Sequence, residues 1–234
     1  MKGVILAGGL GTRLSPLTDG VNKHLLPVGA RPMIHYPLQR LCEAGLKDVV
    51  IVSSAPGVAA ISAALGSGGS FGAQICYCVQ DEPRGIADAL AQAARAVGRE
   101  ALCVILGDNV FDAPLREYVD AHHSDGGALL LLREVPDPER YGVARLDGGR
   151  VAEVVEKPTT DVGNMAVTGI YMYDAGLSEH LRGLRPSPRG ELEITDVNNA
   201  YLQHGALRWR LLGGRWIDAG TLEAYREANT LFSS

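Results

Sequence analysis

Basic residues do not outnumber acidic ones in this chain of 234 residues: 22 Lys and Arg stand against 27 Asp and Glu, a net charge of -5. That balance excludes a nucleic-acid surface, which needs a basic patch to meet the phosphate backbone. No apolar stretch approaches the length of a membrane span. A strand beginning at Lys2 leaves no room for a leader, so a cytoplasmic protein is expected. Cysteine is scarce. Cys42, Cys76, Cys78 and Cys103 make no CxxC pair and each lies in an apolar segment, which points to buried free thiols rather than disulfides or a metal site. Aromatic residues are 6% of the chain and scattered, so they read as core or pocket filler and not as a cofactor box. No Ser-His-Asp or Cys-His arrangement can be assembled. His122 and His123 near the end of a polar-faced helix read as solvated, and His24 has no evident partner. There is no repeat, low-complexity tract or linker, so residues 1–234 are expected to form one domain.

What is present alternates. Val4 to Leu6, Asp48 to Ser53, Gln74 to Gln80 and Ala101 to Leu106 are apolar runs read as strands. Helices are expected from Pro32 to about Glu43, near Val58 to Leu65 and from Ile86 to Val97. Strands apolar on both faces, alternating with helices, imply an α/β fold with a parallel sheet covered by helices. The second half changes character: strands at Ala128 to Glu134, Tyr141 to Leu146, Arg150 to Glu156 and Met165 to Tyr173 suggest an antiparallel or mixed insertion. Helices return at Asp174 to Leu181, Glu193 to His204 and Thr221 to Leu231.

The chemistry gathers where strands end. Leu6 closes the first strand, and Gly8, Gly9 and Gly11 follow with Thr12 and Arg13. Open parallel sheets bind ligands beyond the carboxyl ends of their strands. Glycines there let backbone N–H groups approach phosphate oxygens, and an arginine fork suits a polyphosphate. Lys23 adds a second cation. A nicotinamide fingerprint fits less well, because Leu14 stands where its last glycine or alanine belongs and Pro16 and Pro27 hinder a long helix. A P-loop needs GK[ST], which is absent. A glycine-rich turn with a surface arginine stays open. GDN at 107–109 places Asp108 at the end of another strand, as a magnesium ligand or as a turn aspartate capping a helix. Asp218 in WIDAG is a second strand-end carboxylate, and two such groups could share one metal if the fold joins them. Glu156 and Lys157 in EKP could meet sugar hydroxyls and a phosphate, or form an exposed ion pair before a turn. In RGELEITD only Arg189 is expected to be functional; the rest reads as a helix start.

Taken together, LAGGLGTRL, NKHLLPV with PMIHYPL, QDEPRGIADAL, LGDNVF, DPERYGVA, VEKP, AVTGIYMYD, PSPRGELEITDVN and WIDAGT resemble the sugar-phosphate nucleotidyltransferases, in order from residue 1 to about 225. The resemblance implies a Rossmann-like, mixed and mostly parallel central sheet flanked by helices, with an inserted sugar-binding β-rich lobe. The nucleotide-binding part would be about 1–125 and the sugar-binding lobe with its returning helices about 126–234. It implies transfer from dTTP to glucose 1-phosphate, giving dTDP-glucose and pyrophosphate with Mg2+. The same chemistry with UTP or another sugar 1-phosphate stays open, as does a non-catalytic nucleotide-sugar sensor. Leu6, Gly8, Gly9, Gly11, Thr12, Arg13 and Lys23 would hold the triphosphate. Gln80 and Gly85 would read the base, and Asp108 and Asp218 would bind the metal. Asn109, Tyr141, Gly142, Glu156, Val167, Tyr171 and Arg189 would form the sugar pocket, with Lys157 on the sugar phosphate. Arg13, Lys23, Asp108 and Lys157 would be catalytic, and a homo-oligomer, dimer or tetramer, is implied. Asp88 stands where this family often has glutamine, so sugar preference is expected to differ if Asp88 faces the pocket. The chain ends at Ser234, before the helical extension that contributes to a feedback site in longer relatives, so altered product inhibition is expected.

Overall fold

The computed structural model describes residues 1–9 and 11–233; Leu10, inside the glycine loop, lies outside the described residues. The elements in chain order are β1 (Lys2–Leu6), β2 (Pro27–Val28), β3 (Arg31–Pro32), α1 (His35–Glu43), β4 (Asp48–Ser53), α2 (Ala55–Leu65), β5 (Gln74–Val79), α3 (Ile86–Val97), β6 (Leu102–Leu106) and β7 (Asn109–Phe111). Then come α4 (Arg116–Asp125), β8 (Ala128–Glu134), β9 (Gly142–Asp147), β10 (Arg150–Glu156), β11 (Met165–Tyr173), α5 (Leu177–His180), α6 (Ile194–Gln203), β12 (Leu207–Leu211), β13 (Trp216–Asp218) and α7 (Leu222–Leu231). Among the described residues, nine strands form one sheet in the order β10-β9-β11-β6-β1-β4-β5, with β8 on β11 and β12 on β8.

The half that carries the glycine loop is parallel. β6, β1, β4 and β5 run together, with Leu6 opposite both Val52 and Leu106. Their carboxyl ends therefore share one edge. The β-rich second half continues the same sheet. β11 pairs antiparallel with β6 and β8, and its register shifts between Val167 and Tyr171 around Gly169, whose φ is +80°. That bulge re-aims the strand, so its first part meets β9 at Ala166 and its last part meets β6.

Alternation along the strands fills two cores, one per face. Ile5, Ile51 and Ile105 pack with Leu38, Leu41 and Ile61 on one side. Val4, Leu6, Val52 and Val104 pack with Leu90, Tyr173 and Tyr201 on the other. Both faces are covered, as apolar runs without polar alternation require.

Several expectations need correction. The first helix starts at His35, because Arg31–Pro32 folds back onto Pro27–Val28 as a small antiparallel pair. The helix expected from Asp174 shrinks to α5, since the Asp174 carboxylate accepts from the Gly176 N–H and closes a turn there. Strands β7 and β12 have no counterpart among the elements expected from the sequence. Of the cysteines, Cys103 is buried but Cys76 is exposed, because β5 is an edge strand; all four are free. His122 is buried rather than solvated, its Nε2 donating to the Gly127 carbonyl at 2.9 Å.

Candidate active site

A cleft of about 500 Å3 opens along the carboxyl edge of the parallel strands. The sequence-derived candidates converge on it. Leu6, Gly8, Gly9, Arg13, Lys23, Gln80, Gly85, Asp108, Asn109 and Asp218 line one part, and Tyr141, Gly142, Glu156, Lys157, Val167, Tyr171 and Arg189 line the other. Gly11 and Thr12 do not line the cleft. Gly11 has φ +68°, and a Cβ there would come within 3.1 Å of the Thr18 methyl. It serves the turn that presents Arg13, and the Thr18 hydroxyl donates to its carbonyl at 2.9 Å.

Two strand ends bring the carboxylates together. β7 pairs antiparallel with β13, setting Asn109 opposite Asp218, and the Ala219 N–H donates to the Asp108 carbonyl at 2.9 Å. Gly220 marks the space between the side chains. A Cβ on it would lie 2.9 Å from Asp218 Oδ1, 3.4 Å from Asp108 Oδ2 and 3.4 Å from the Arg13 guanidinium. Only a residue without a side chain leaves that point free. Lys23 Nζ donates to Asp108 Oδ2 at 2.6 Å.

The two acids are driven apart in acidity. Burial raises the Asp108 carboxyl, but Lys23 and neighbouring hydrogen bonds outweigh it and hold the group at about 2. Burial, then repulsion from Asp108, lifts Asp218 to about 6. A second negative charge in this place is costly unless a cation shares it. The donor set therefore fits a hard divalent cation that takes one or two carboxylates and completes its shell with phosphate and water. Among the described residues no cluster of three or more metal-binding side chains exists, so a cation here would depend on oxygens from a ligand.

His24, set aside on sequence, is buried beneath this point. Its Nδ1 donates to Asn22 Oδ1 at 2.9 Å, and a Cβ on Gly107 would approach its ring to 2.7 Å. Burial, with help from Lys23, lowers its pKa to about 3 and keeps it neutral.

At the other end, Lys157 is in the left-handed region with φ 43°, the one non-glycine residue so placed among the described residues. Pro158 follows it, and the Lys157 N–H donates to the Tyr141 carbonyl at 2.9 Å. Such a conformation costs about 1–3 kcal/mol. Glu156 accepts from the Thr195 hydroxyl at 2.8 Å and from Arg189 at 3.4 Å, while Arg189 forks onto both oxygens of Glu193 at 2.9 Å. Asn109 is buried and accepts from the Trp216 indole N–H, so its amide oxygen orients Trp216 against Tyr141, ring centroids 5.7 Å apart. Burial pushes the Tyr141 phenol up to about 12, so it stays neutral.

Sequence reasoning missed Arg140, Trp216, Glu193 and Thr195, which also line the cleft. Glu193 and Thr195 do stand at the start of α6, as the sequence implies; Glu193 holds Arg189 four residues before it, whereas the bond from the Thr195 hydroxyl to Glu156 joins distant parts of the chain and is not legible in the sequence. Asp88 does not line the cleft. It lies against Gln80 and Arg84, so the expectation that it alters sugar preference from within the pocket has no support in its position.

Comparison with known proteins places the chain in a family. The family model described as Nucleotidyl transferase matches residues 2–234. A glucose-1-phosphate thymidylyltransferase of Xanthomonas campestris pv. campestris (strain B100) is 45% identical, aligned over 97% of this chain and 79% of its own. One from Neisseria meningitidis serogroup A is 42% identical over 97% of this chain and 81% of its own. A Bacillus anthracis protein assigned as a glucose-1-phosphate thymidylyltransferase, crystallised with sucrose, superposes with a TM-score of 0.96 at 44% identity, covering 100% of this chain and 96% of that one. A UDP-glucose pyrophosphorylase with bound UDP-glucose superposes with a TM-score of 0.88 at 26% identity, covering 99% and 97%. The chain belongs to the nucleotidyl transferase family.

Proposed function

We propose that the chain transfers a thymidylyl group from dTTP to glucose 1-phosphate, releasing pyrophosphate. The observation that supports this most is the single cleft in which Arg13, Lys23, Asp108 and Asp218 face Lys157, Glu156 and Arg189. The likeness to two thymidylyltransferases at 42–45% identity supports the choice of substrates.

The reaction joins two anions. A phosphate oxygen of the sugar phosphate attacks the α-phosphorus in line, and pyrophosphate leaves. The nucleophile already carries its charge, so no general base is required. Repulsion is the obstacle: two unit charges 4 Å apart repel by about 4 kcal/mol at a surface-like dielectric. Arg13 and Lys23 would screen the triphosphate, and Lys157 the sugar phosphate. Fixed charges of this kind need no reorganisation during the reaction and are typically worth about 100-fold or more in rate each. Holding both substrates in one geometry removes much of the remaining entropic barrier.

Asp108 and Asp218 would hold Mg2+. Bound there, the ion would offset charge on the triphosphate and help orient it. Gly8, Gly9, Gly11 and Thr12 would cradle the phosphates through the turn. Gln80 and Gly85 would read the base, and Tyr141, Gly142, Val167 and Tyr171 would wall the sugar, with Asn109 aligning Trp216 beside them. The chain would act as one unit, residues up to about 125 handling the nucleotide and the remainder the sugar. A homo-oligomer and a cytoplasmic setting belong to the same reading. Among the described residues no helix is long and apolar enough to cross a membrane.

The test is pyrophosphate release by the full chain with Mg2+, across dTTP, UTP, CTP, ATP and GTP paired with glucose, galactose and mannose 1-phosphates. Highest kcat/KM for dTTP with glucose 1-phosphate is expected. Preference for a different sugar phosphate, or no release with any pair, would overturn the assignment.

A further inference from the structure

Gln80 follows β5 and is 7% exposed. Both hydrogens of its amide nitrogen are used: Nε2 donates to Asp88 Oδ2 at 2.9 Å and to the Gly85 carbonyl at 3.2 Å. Asp88 sits in the first turn of α3, is 5% exposed, and accepts from the Arg84 guanidinium at 3.1 Å through its other oxygen. A carboxylate so paired can only accept. Turning the Gln80 amide over would set its oxygen against two acceptors, the Asp88 carboxylate and the Gly85 carbonyl. The arrangement therefore holds the NH2 end inward and leaves Oε1 on the Gly8 side, 3.2 Å from the place a Gly8 Cβ would occupy. Gly8 and Gln80 both line the cleft; Asp88 does not.

We propose that Asp88 is a positioning residue: by fixing which end of the Gln80 amide faces the ligand, it makes the cleft select pyrimidines with a ring N–H over those without. The proposal rests on the reading of Gln80 as the base contact. Thymine and uracil carry an N3–H, which an outward-facing Oε1 accepts. Cytosine has a lone pair at N3, so acceptor meets acceptor. A polar group left unpaired or opposed in a closed site discriminates far more strongly than a missing contact. The thymine methyl is invisible to this device, so it separates dTTP and UTP from CTP but not from each other.

The experiment measures kcat and KM for dTTP, UTP and CTP with glucose 1-phosphate in the wild type, in Asp88→Asn, and in the reciprocal pair Gln80→Glu with Asp88→Asn. In Asp88→Asn, Arg84 draws the new amide oxygen, which turns its NH2 toward Gln80 and favours the flipped Gln80 amide. Expected are a rise of about tenfold in KM for dTTP and UTP, kcat within about twofold, an unchanged KM for glucose 1-phosphate, and a fall of about tenfold in the dTTP-to-CTP ratio of kcat/KM. The reciprocal pair keeps the net charge and restores the donor–acceptor match between positions 80 and 88, with the outer oxygen of the new glutamate again an acceptor, so the ratio recovers toward the wild-type value although the Gly85 carbonyl loses its donor. An unchanged ratio in Asp88→Asn overturns the proposal, as does a fall that the reciprocal pair fails to reverse or one accompanied by an equal rise in KM for glucose 1-phosphate. A wild type inactive with both dTTP and UTP overturns the underlying reading of the cleft as well.

Discussion

Replacing Asp218 with asparagine removes a carboxyl that the fold holds in its charged form against burial and against Asp108. The folded pKa of about 6 lies above the ordinary value of 3.8, so the folded protein binds this proton more tightly than the unfolded one. The resulting contribution to stability is fully present below about pH 3.8 and is lost as pH rises through about 6. A shift of about two units at 1.36 kcal/mol each sets a ceiling near 3 kcal/mol. Asp218 is only partly buried, so solvent screening reduces the effect to about 1–2 kcal/mol. Asparagine keeps an oxygen for the Gly220 N–H, which now bonds Asp218 Oδ1 at 3.0 Å. Without metal, Asp218→Asn is therefore expected to be more stable than the wild type at pH 7.5, raising the melting temperature by about 2–8 °C for a chain of this size. The gain should shrink toward zero by about pH 4. Urea unfolding in EDTA at pH 7.5, 6, 5 and 4 reads this directly. With dTTP and Mg2+ the order should invert, because a ligand bound to the native state adds stability and the variant has lost half of its cation site. A variant less stable than the wild type in EDTA at pH 7.5, or a gain that does not change with pH, would refute the reasoning.

Three further outcomes are expected. Lys157→Ala and Lys157→Gly should both lose about 100-fold or more in kcat/KM, while the glycine form is about 1 kcal/mol more stable in urea than the alanine form, because it accepts φ 43° without strain. Gly220→Ala should leave the far-UV spectrum and melting temperature nearly unchanged but abolish most turnover, since its Cβ would fill the point between Asp218, Asp108 and Arg13. His24, held neutral with a pKa of about 3 against 6.5 in the unfolded chain, favours unfolding as pH falls through that window, by up to about 5 kcal/mol. This opposes the Asp218 contribution. Urea midpoints in EDTA should accordingly drop more steeply from pH 6 to pH 4 in Asp218→Asn than in the wild type.

Most of the framework was legible because its signals are local. Asp48–Ser53, Ile86–Val97, Ala128–Glu134 and Met165–Tyr173 fall at their expected bounds, being apolar runs closed by glycine, charge or, after Ser53, the serine that caps α2. β7 is hidden because a three-residue strand separated from β6 by two residues reads as part of the turn. β12 (LRWRL) was hidden because its two arginines break the apolar run. The site was legible as a set of strand-end groups, since parallel strands deliver their carboxyl ends to one edge. What joins Asp108 to Asp218 was not, because it depends on pairing β7 with β13, a contact between distant parts of the chain. Nor could the left-handed turn at Lys157 be read from EKP alone, or the buried place of His24, which depends on Gly107 making room for its ring. Asp88 illustrates the same limit. Its identity was noticed, but its partner Gln80 became evident only when α3 packed beside β5.

The account depends most on Asp108 and Asp218 sharing one cation that also meets the triphosphate. Mn2+ can replace Mg2+ as a probe, and its free concentration can be followed by electron paramagnetic resonance while the full chain and dTTP are added. Relative to dTTP alone, which binds Mn2+ through its own phosphates, the wild type is predicted to tighten uptake to one Mn2+ per chain, and that gain is lost in Asp108→Asn and in Asp218→Asn. Uptake that survives in both variants at wild-type affinity would contradict it.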